Sequence, residues 1–263
     1  MSITWTARRR VGDGGVDMDG YDAASYGDGI ADVYDEWYAD VSDVAATVGL
    51  VARLATAAGS ARVLELGAGT GRLAIPLTDA GLHVTGVDAS TAMLDRLRKA
   101  DPAGRVSIVH GDMVDDLPDG PFGVVLVAYN TLFNLTDAGR QRACVAAAAE
   151  RLVVGGALVI EAFVPADPPP SGDDVRVRDL CADRVVLSIT RHHPDQQRAE
   201  GQFVEFTAAG GVRLRPWAIR YAAPDELDAM AAAAGLHLAE RWAAPPDEPF
   251  DADSTRHTSV YRR

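Results

Sequence analysis

The sequence predicts an α/β fold, a seven-stranded mixed sheet with helices on both faces, carrying a small antiparallel β lobe. Three observations predict it. The stretch from Val63 to Asp88 reads as strand, glycine loop, helix and second strand; apolar strand-like runs alternate with helical ones as far as Val164; and beyond the break PADPPPSGDD the pattern turns to short alternating β runs. At 263 residues and 48% hydrophobic composition, the chain can bury one large core, so residues 21–263 are read as a single domain.

The elements follow in chain order. Residues 1–20 hold Arg8, Arg9, Arg10 and several glycines and read as a flexible tail with a solvated basic run. Tyr21 to Tyr38 is polar and aromatic, suited to short helices over the mouth of a site, with Tyr26, Tyr34 and Tyr38 as hydroxyls of interest. Asp43 to Ala58 places Val44, Val48, Val51 and Ala55 at helical spacing and stops at Gly59. After the Val63–Asp88 unit, a helix starts near Ser90 and a strand runs from Arg105 to His110. Phe122 to Tyr129 is apolar almost throughout, as a central parallel strand buried on both faces should be. The loop Asn130 to Leu135 leaves its C-terminal end, where ligands of open parallel sheets bind. Thr136 can cap a helix to Leu152, and Gly155-Gly156 turns the chain into a fifth strand, Ala157 to Val164.

Residues 175–221 are read as a β lobe inserted over the active-site face, with strands near Val185–Arg191, Gln202–Thr207 and Val212–Tyr221 and a turn at Ala208–Gly211. Pro224 opens a helix with Asp225 and Glu226 in its first turn, and Gly235 ends it. Leu236–Ala243 and Arg256–Arg262 supply the last two strands.

The glycine loop indicates a ribose-bearing cofactor. Gly67, Gly69 and Gly71 let the backbone turn sharply and approach a ligand, and Asp88 closes the next strand where a carboxylate can accept from two ribose hydroxyls. A dinucleotide site calls for a GxGxxG loop, yet Arg72 follows Gly71, and Glu65 just before the turn suits a positively charged ligand better than a diphosphate. With Glu65, Gly67, Gly69 and Gly71 falling on hhExGxGxG, the chain resembles the class I S-adenosylmethionine (SAM) methyltransferases, a Rossmann-like family.

The resemblance implies SAM as cofactor and S-adenosylhomocysteine as product. It places Asp112 on the adenine amino group, the Met113 amide at the ring and Met93 against adenine or ribose. It also brings Tyr26, Ala68, Ala89 and Ala128 to the cofactor. Ala31-Asp32-Val33-Tyr34-Asp35 is similar to the N-terminal ADVYD element of sugar N,N-dimethyltransferases, and His192 falls where they carry a lobe histidine. Their serine-rich loop after the fourth strand is replaced here by YNTLFNL, so an aminosugar substrate does not follow.

Composition narrows the rest. A net charge of −13 argues against binding nucleic acid, whose phosphates need clustered cations. Cys144 and Cys181 have no metal spacing and read as free thiols in a reducing compartment. No run has the length of a transmembrane helix and the N-terminus has no signal-peptide core, so a cytoplasmic protein without membrane partners is expected, possible homodimers included. No metal is expected, because adjacent His192 and His193 on a strand face opposite ways.

Methyl transfer requires a nucleophile held in line and, for an amine or hydroxyl, a lost proton. His192 is the first choice of general base, His193 its competitor, and Tyr34 orients the substrate or the cofactor's methionine tail. The substrate is read as a small molecule of secondary metabolism. The absence of [DN]PP[YF] after the fourth strand, where Ala128-Tyr129-Asn130-Thr131 stands, disfavours nucleobase and glutamine amides. Two alternatives share these features: a SAM-binding enzyme of non-methyl chemistry, and a nicotinamide (NAD) oxidoreductase.

Overall fold

The computed structural model describes residues 18–39, 41 and 43–263, so the expected tail, with its arginine triplet, lies outside the described residues up to position 17. Two short helices, α1 (Ser25–Ile30) and α2 (Tyr34–Trp37), precede α3 (Val44–Ala57). Asp43 caps α3 by accepting from the Ala46 amide at 2.9 Å. The central unit is β1 (Arg62–Leu66), α4 (Ala74–Asp79), β2 (His83–Asp88), α5 (Thr91–Ala100) and β3 (Ser107–His110), then β4 (Phe122–Val127), α6 (Ala138–Glu150) and β5 (Leu152–Phe163).

The structure departs from the sequence pattern at two local points. The cap of α6 is Asp137, whose carboxylate accepts from the Arg140 amide at 2.9 Å; Thr136 stands one position too early to reach that amide. Gly155 and Gly156 do not separate a helix from a strand, because β5 already begins at Leu152 and its pairing with β4 shifts register between Phe122 and Val124. They form an irregularity inside the strand.

The lobe comprises β6 (Gly172–Leu180), β7 (Arg184–His193), β8 (Arg198–Thr207) and β9 (Val212–Arg220), an antiparallel sheet in that order. The expected span of 175–221 thus starts inside its first strand. GDDVRVRDL escaped recognition because charged residues fill most of its positions and its valines face away from the core. The chain returns through α7 (Pro224–Ala233), β10 (His237–Ala244), β11 (Glu248–Pro249) and β12 (Arg256–Arg262).

The main sheet has eight strands, not seven, in the order β11-β10-β12-β5-β4-β1-β2-β3. The extra one is the two-residue β11, too short and too close to a proline pair to leave a sequence pattern. Strands β1 to β5 run parallel and β12 pairs antiparallel with β5. One apolar layer sets Cys144, Val145 and Leu227 of α6 and α7 against a sheet face, and another sets Leu54, Leu77 and Leu97 of α3, α4 and α5 against the other. A third cluster, including Ile30, Val33, Met93, Val186 and Phe203, joins α1, α2 and α5 to the lobe. That third cluster fixes the site's roof.

Candidate functional site

The C-terminal ends of β1, β2, β3 and β4 open into a cleft lined by Gly67, Gly69, Asp88, Ala89, Met93 and Asp112, with Met113 and Tyr34 also on its wall. Each strand end delivers one chemical group. At Gly69, φ is +55° and a side chain would meet nothing within 4 Å, so the backbone borders open space. Gly71 answers a different need, because a Cβ there would collide with Leu97 of α5. It does not border the cleft.

Asp88 holds the loop as well as facing the cleft. One carboxylate oxygen accepts from the Gly69 amide and the other from the Ser90 amide, each at 2.8 Å. Burial raises its pKa against those two bonds. Behind the loop lies Glu65, fully enclosed, with Oε2 unpartnered among the described residues. Burial pushes its pKa up to about 8, with the Asp88 charge adding and Arg72 opposing. At the far end, Asp112 accepts from the Val114 amide at 2.7 Å and from Arg140 at 2.6 Å.

Of the other residues expected at the cofactor, Tyr26 lines the cleft, whereas Ala68 and Ala128 are buried in the core. The Ala128 carbonyl accepts from the Thr131 amide, so that alanine closes a turn. Thr131, Asn134 and Leu135 border the cleft in its place, together with Tyr21, Asp22 and Gly27. The sequence held a signal for the first three, since YNTLFNL leaves a central strand at the ligand end of the sheet.

An inner compartment adjoins this cleft and shares Tyr26, Tyr34, Thr131 and Asn134 with it. Tyr38, Tyr129, Phe163, Phe203 and Trp217 add aromatic walls. The Tyr34 and Tyr38 rings lie 4.9 Å apart, Tyr38 and Tyr129 5.7 Å, and the Tyr26 and Tyr38 hydroxyls 3.3 Å. Burial raises Tyr34 to about 12 and holds Tyr26 and Tyr129 above the ordinary phenol value, so these hydroxyls stay protonated near neutrality. Arg72, whose place in the loop excluded a dinucleotide motif, hydrogen-bonds Tyr34 and stands over the Tyr129 ring at 5.7 Å.

Tyr129 and Asn130 both have left-handed backbones, at φ +42° and +61°. For tyrosine this is a strained conformation, and it is pinned from β5: the Asn130 amide donates to the Glu161 carbonyl at 2.9 Å, and the Phe163 amide donates to Asn130 Oδ1 at 2.7 Å. The strain aims Tyr129 into the inner compartment.

Beyond Phe163, Phe203 and Trp217 lies an outer cavity of about 530 Å³ between the β5 end, the Pro165–Pro170 segment and the inner face of the lobe. His192 lines this outer cavity and not the inner compartment. His193 points the other way, its Nε2 3.5 Å from Glu200. The two histidines therefore do not share a site, and among the described residues no cluster of three or more His, Cys, Asp or Glu could hold a metal ion.

The ADVYD element connects these parts. Ala31 and Val33 are buried, and Tyr34 borders both cleft and inner compartment. Asp35 accepts from Thr70 of the glycine loop at 2.6 Å. Asp32 pairs with Arg213 and Arg215 of β9, and Arg215, 2% exposed, also donates to Glu205 at 2.7 Å and to the Gly29 carbonyl at 2.7 Å. It clasps the α1–α2 roof to the lobe.

Residues 63–156 match the methyltransferase domain family. A cypemycin N-terminal methyltransferase from a Streptomyces species is 32% identical over 206 residues, covering 76% of this chain and 82% of the relative. The CcbJ methyltransferase of Streptomyces caelestis is 41% identical, with a TM-score of 0.85 over 92% of this chain and 99% of that one. At 24% identity, the SAM-bound amino pentose methyltransferase CalS10 of Micromonospora echinaspora, involved in calicheamicin biosynthesis, shares the fold with a TM-score of 0.65, covering 88% of this chain and 97% of that one.

Proposed function

This chain belongs to the S-adenosylmethionine-dependent methyltransferases, and from that premise we propose that it methylates an amine of a small molecule in secondary metabolism. The observation that carries the amine is the inner compartment. Among the described residues lining it there is no carboxylate, histidine or lysine, only phenols, aromatic faces, amides, a threonine and an isoleucine. A hydroxyl would need a base at that point to become a good nucleophile. An amine needs only to arrive neutral, and a desolvating aromatic pocket lowers an ammonium's pKa in that direction.

The cleft residues fit the cofactor. In this reading Asp88 accepts from ribose hydroxyls, Asp112 and the Met113 amide meet adenine, Met93 and Ala89 make apolar contact, and the open backbone at Gly69 supports close approach. Glu65 Oε2 leaves a buried acceptor behind the loop for a cationic ligand. When bound, SAM supplies a methyl group activated on a sulfonium. The chain's own work is to orient the amine and exclude water. We assign Tyr34, held by Arg72, to the reacting atoms. The proposal for His192 changes accordingly: it contacts the body of the substrate in the outer cavity and is not the base at the methyl group.

The test is SAM turnover with matched amines and alcohols, read by mass spectrometry. N-methyl product together with S-adenosylhomocysteine supports the reading. O-methyl product alone would overturn the amine, and SAM consumption without a methylated product would establish non-methyl chemistry.

Glu65 gives this reading a pH signature. Below about pH 8 the carboxyl is neutral; above it, a carboxylate stands behind the loop and attracts the cationic cofactor. SAM affinity should therefore rise as pH passes through about 8, and Glu65→Gln should flatten that part of the profile in calorimetry. Stability runs the opposite way. A folded-state pKa above the unfolded one means protons are taken up on folding, so this group's contribution is present at acidic pH and is lost as pH rises from the ordinary carboxylate range to about 8.

We also propose a homodimer through the lobe's outer face. Two in-register apolar rows cross all four lobe strands, Val177-Leu187-Val204-Leu214 and Leu180-Val185-Phe206-Val212. Val177, Leu180, Val212 and Leu214 are each more than half exposed. A flat face of this kind can meet its own copy about a twofold axis, leaving the substrate face free. Light scattering should give twice 27.8 kDa. Changing Val177 and Leu214 together to aspartate should halve that mass, and a monomeric wild type would refute the contact.

The free thiols, Cys181 exposed and Cys144 buried, support a reducing, cytoplasmic setting. Among the described residues, no helix is long and apolar enough to cross a membrane.

A further inference from the structure

We infer that the outer cavity is a carboxylate-binding subsite anchored by Arg178, which would make the substrate an amine that also carries an acid. The substrate part of this inference rests on the amine reading above; the subsite itself does not. In a chain of net charge −13, the arginines around the lobe are occupied by acids. Arg176 pairs with Asp174 at 2.6 Å, Arg184 with Asp179 at 2.6 Å, Arg191 with Asp173 at 2.9 Å, and Arg215 with Glu205 at 2.7 Å.

Arg178 is held differently. Its guanidinium stands 4.7 Å from the Trp37 ring centroid, 4.8 Å from Phe203 and 5.2 Å from Tyr38, and it lines the cavity without an acidic partner among the described residues. Ring contacts fix a guanidinium through its faces and leave its N–H edge available, and that edge matches the two oxygens of a carboxylate.

Two further polar groups belong to side chains on the same wall. Trp217 Nε1 and the Tyr221 hydroxyl are buried and have no hydrogen-bond partner among the described residues, though both side chains border this cavity. Buried donors of this kind are seldom left unpaired. The wall also carries an acid, Asp174, but Arg176 neutralises it. Phe203 connects the parts, with Arg178 over one ring contact and Trp217 stacked at 6.1 Å on another. Phe163, Phe203, Trp217 and Ile219 border both the outer cavity and the inner compartment, so one molecule can place an amine inside and an acid outside.

The experiment titrates the S-adenosylhomocysteine complex with phenylacetate and with phenylacetamide, following tryptophan fluorescence, since Trp37 and Trp217 flank the subsite. No methylation is measured, so the outcome does not depend on whether the amine reading holds. Phenylacetate should bind and the amide bind roughly tenfold more weakly or not at all, the difference a charge-assisted pair supplies. Arg178→Gln should abolish the preference at unchanged affinity for S-adenosylhomocysteine, Arg178→Lys should retain part of it, and Arg191→Gln, whose pair with Asp173 lies outside the cavity lining, should leave it nearly intact. Equal binding of the two probes, no binding of phenylacetate, or a preference that survives Arg178→Gln would overturn the subsite. Tighter binding of phenyl phosphate than of phenylacetate would overturn the carboxylate.

Discussion

Replacing Asp88 with alanine will weaken SAM binding by about ten- to a hundredfold, the equivalent of about 1.5 to 3 kcal/mol for hydrogen bonds to a charged group. The loss has two sources. Ribose hydroxyls lose their acceptor, and the Gly69 and Ser90 amides, each 2.8 Å from the carboxylate, lose the group that sets the loop against the end of β2. Asp88→Asn separates the two, since its amide oxygen can still accept from one backbone amide while the charge is gone. Calorimetry with SAM and S-adenosylhomocysteine measures both variants, and an affinity unchanged in Asp88→Ala would remove this carboxylate from the cofactor site.

Asp32→Ala will lower stability by about 2 kcal/mol, a loss readable as a fall in melting temperature and in denaturant midpoint. Asp32 is itself partly exposed, but its partner Arg215 is buried and keeps only Glu205 and the Gly29 carbonyl once Asp32 is gone. A buried guanidinium short of acceptors is the costly element. The accompanying loosening of α1 and α2 should raise both the cofactor Kd and the substrate KM. Asp35→Ala, which removes only the bond to Thr70 and an exposed pair with Arg96, should cost less than Asp32→Ala. Equal stability of Asp32→Ala and wild type would mean that the apolar cluster alone holds the roof.

The cofactor half of the fold was legible because its constraints are local. Gly69 and Gly71 mark places where backbone conformation or packing admits little else, Ser90 and Asp43 announce helix starts, and Phe122–Val127 is apolar because both its faces are covered. Where the constraint lay elsewhere in the chain, the pattern failed. The strand Gly172–Leu180 carries arginines toward a cavity and valines toward an open face, reversing the usual sense of alternation. Asp137 and Thr136 are adjacent residues of similar capping ability, and only backbone geometry separates them. His192 could be placed on the lobe but not at a depth, since the rings standing between it and the inner compartment come from β5, β8 and β9. Arg178 gave no signal at all, and Arg72 signalled only that the loop is not a dinucleotide motif, because their contacts are with aromatic rings far away in sequence.

The position of β12 has a consequence for how the protein is made. It lies between β5 and β10, and β10 has no other partner joining it to the rest of the sheet. During synthesis, β1 to β5 can assemble and the lobe can close by local hairpins while residues 256–262 are still inside the ribosome. For that interval the nascent chain displays the outer edge of β5 as a row of unpaired backbone groups, open to any other emerging strand. A pause in synthesis after β5 has emerged and before residues 256–262 have left the ribosome would prolong that exposure, whereas a pause before β5 has emerged would not.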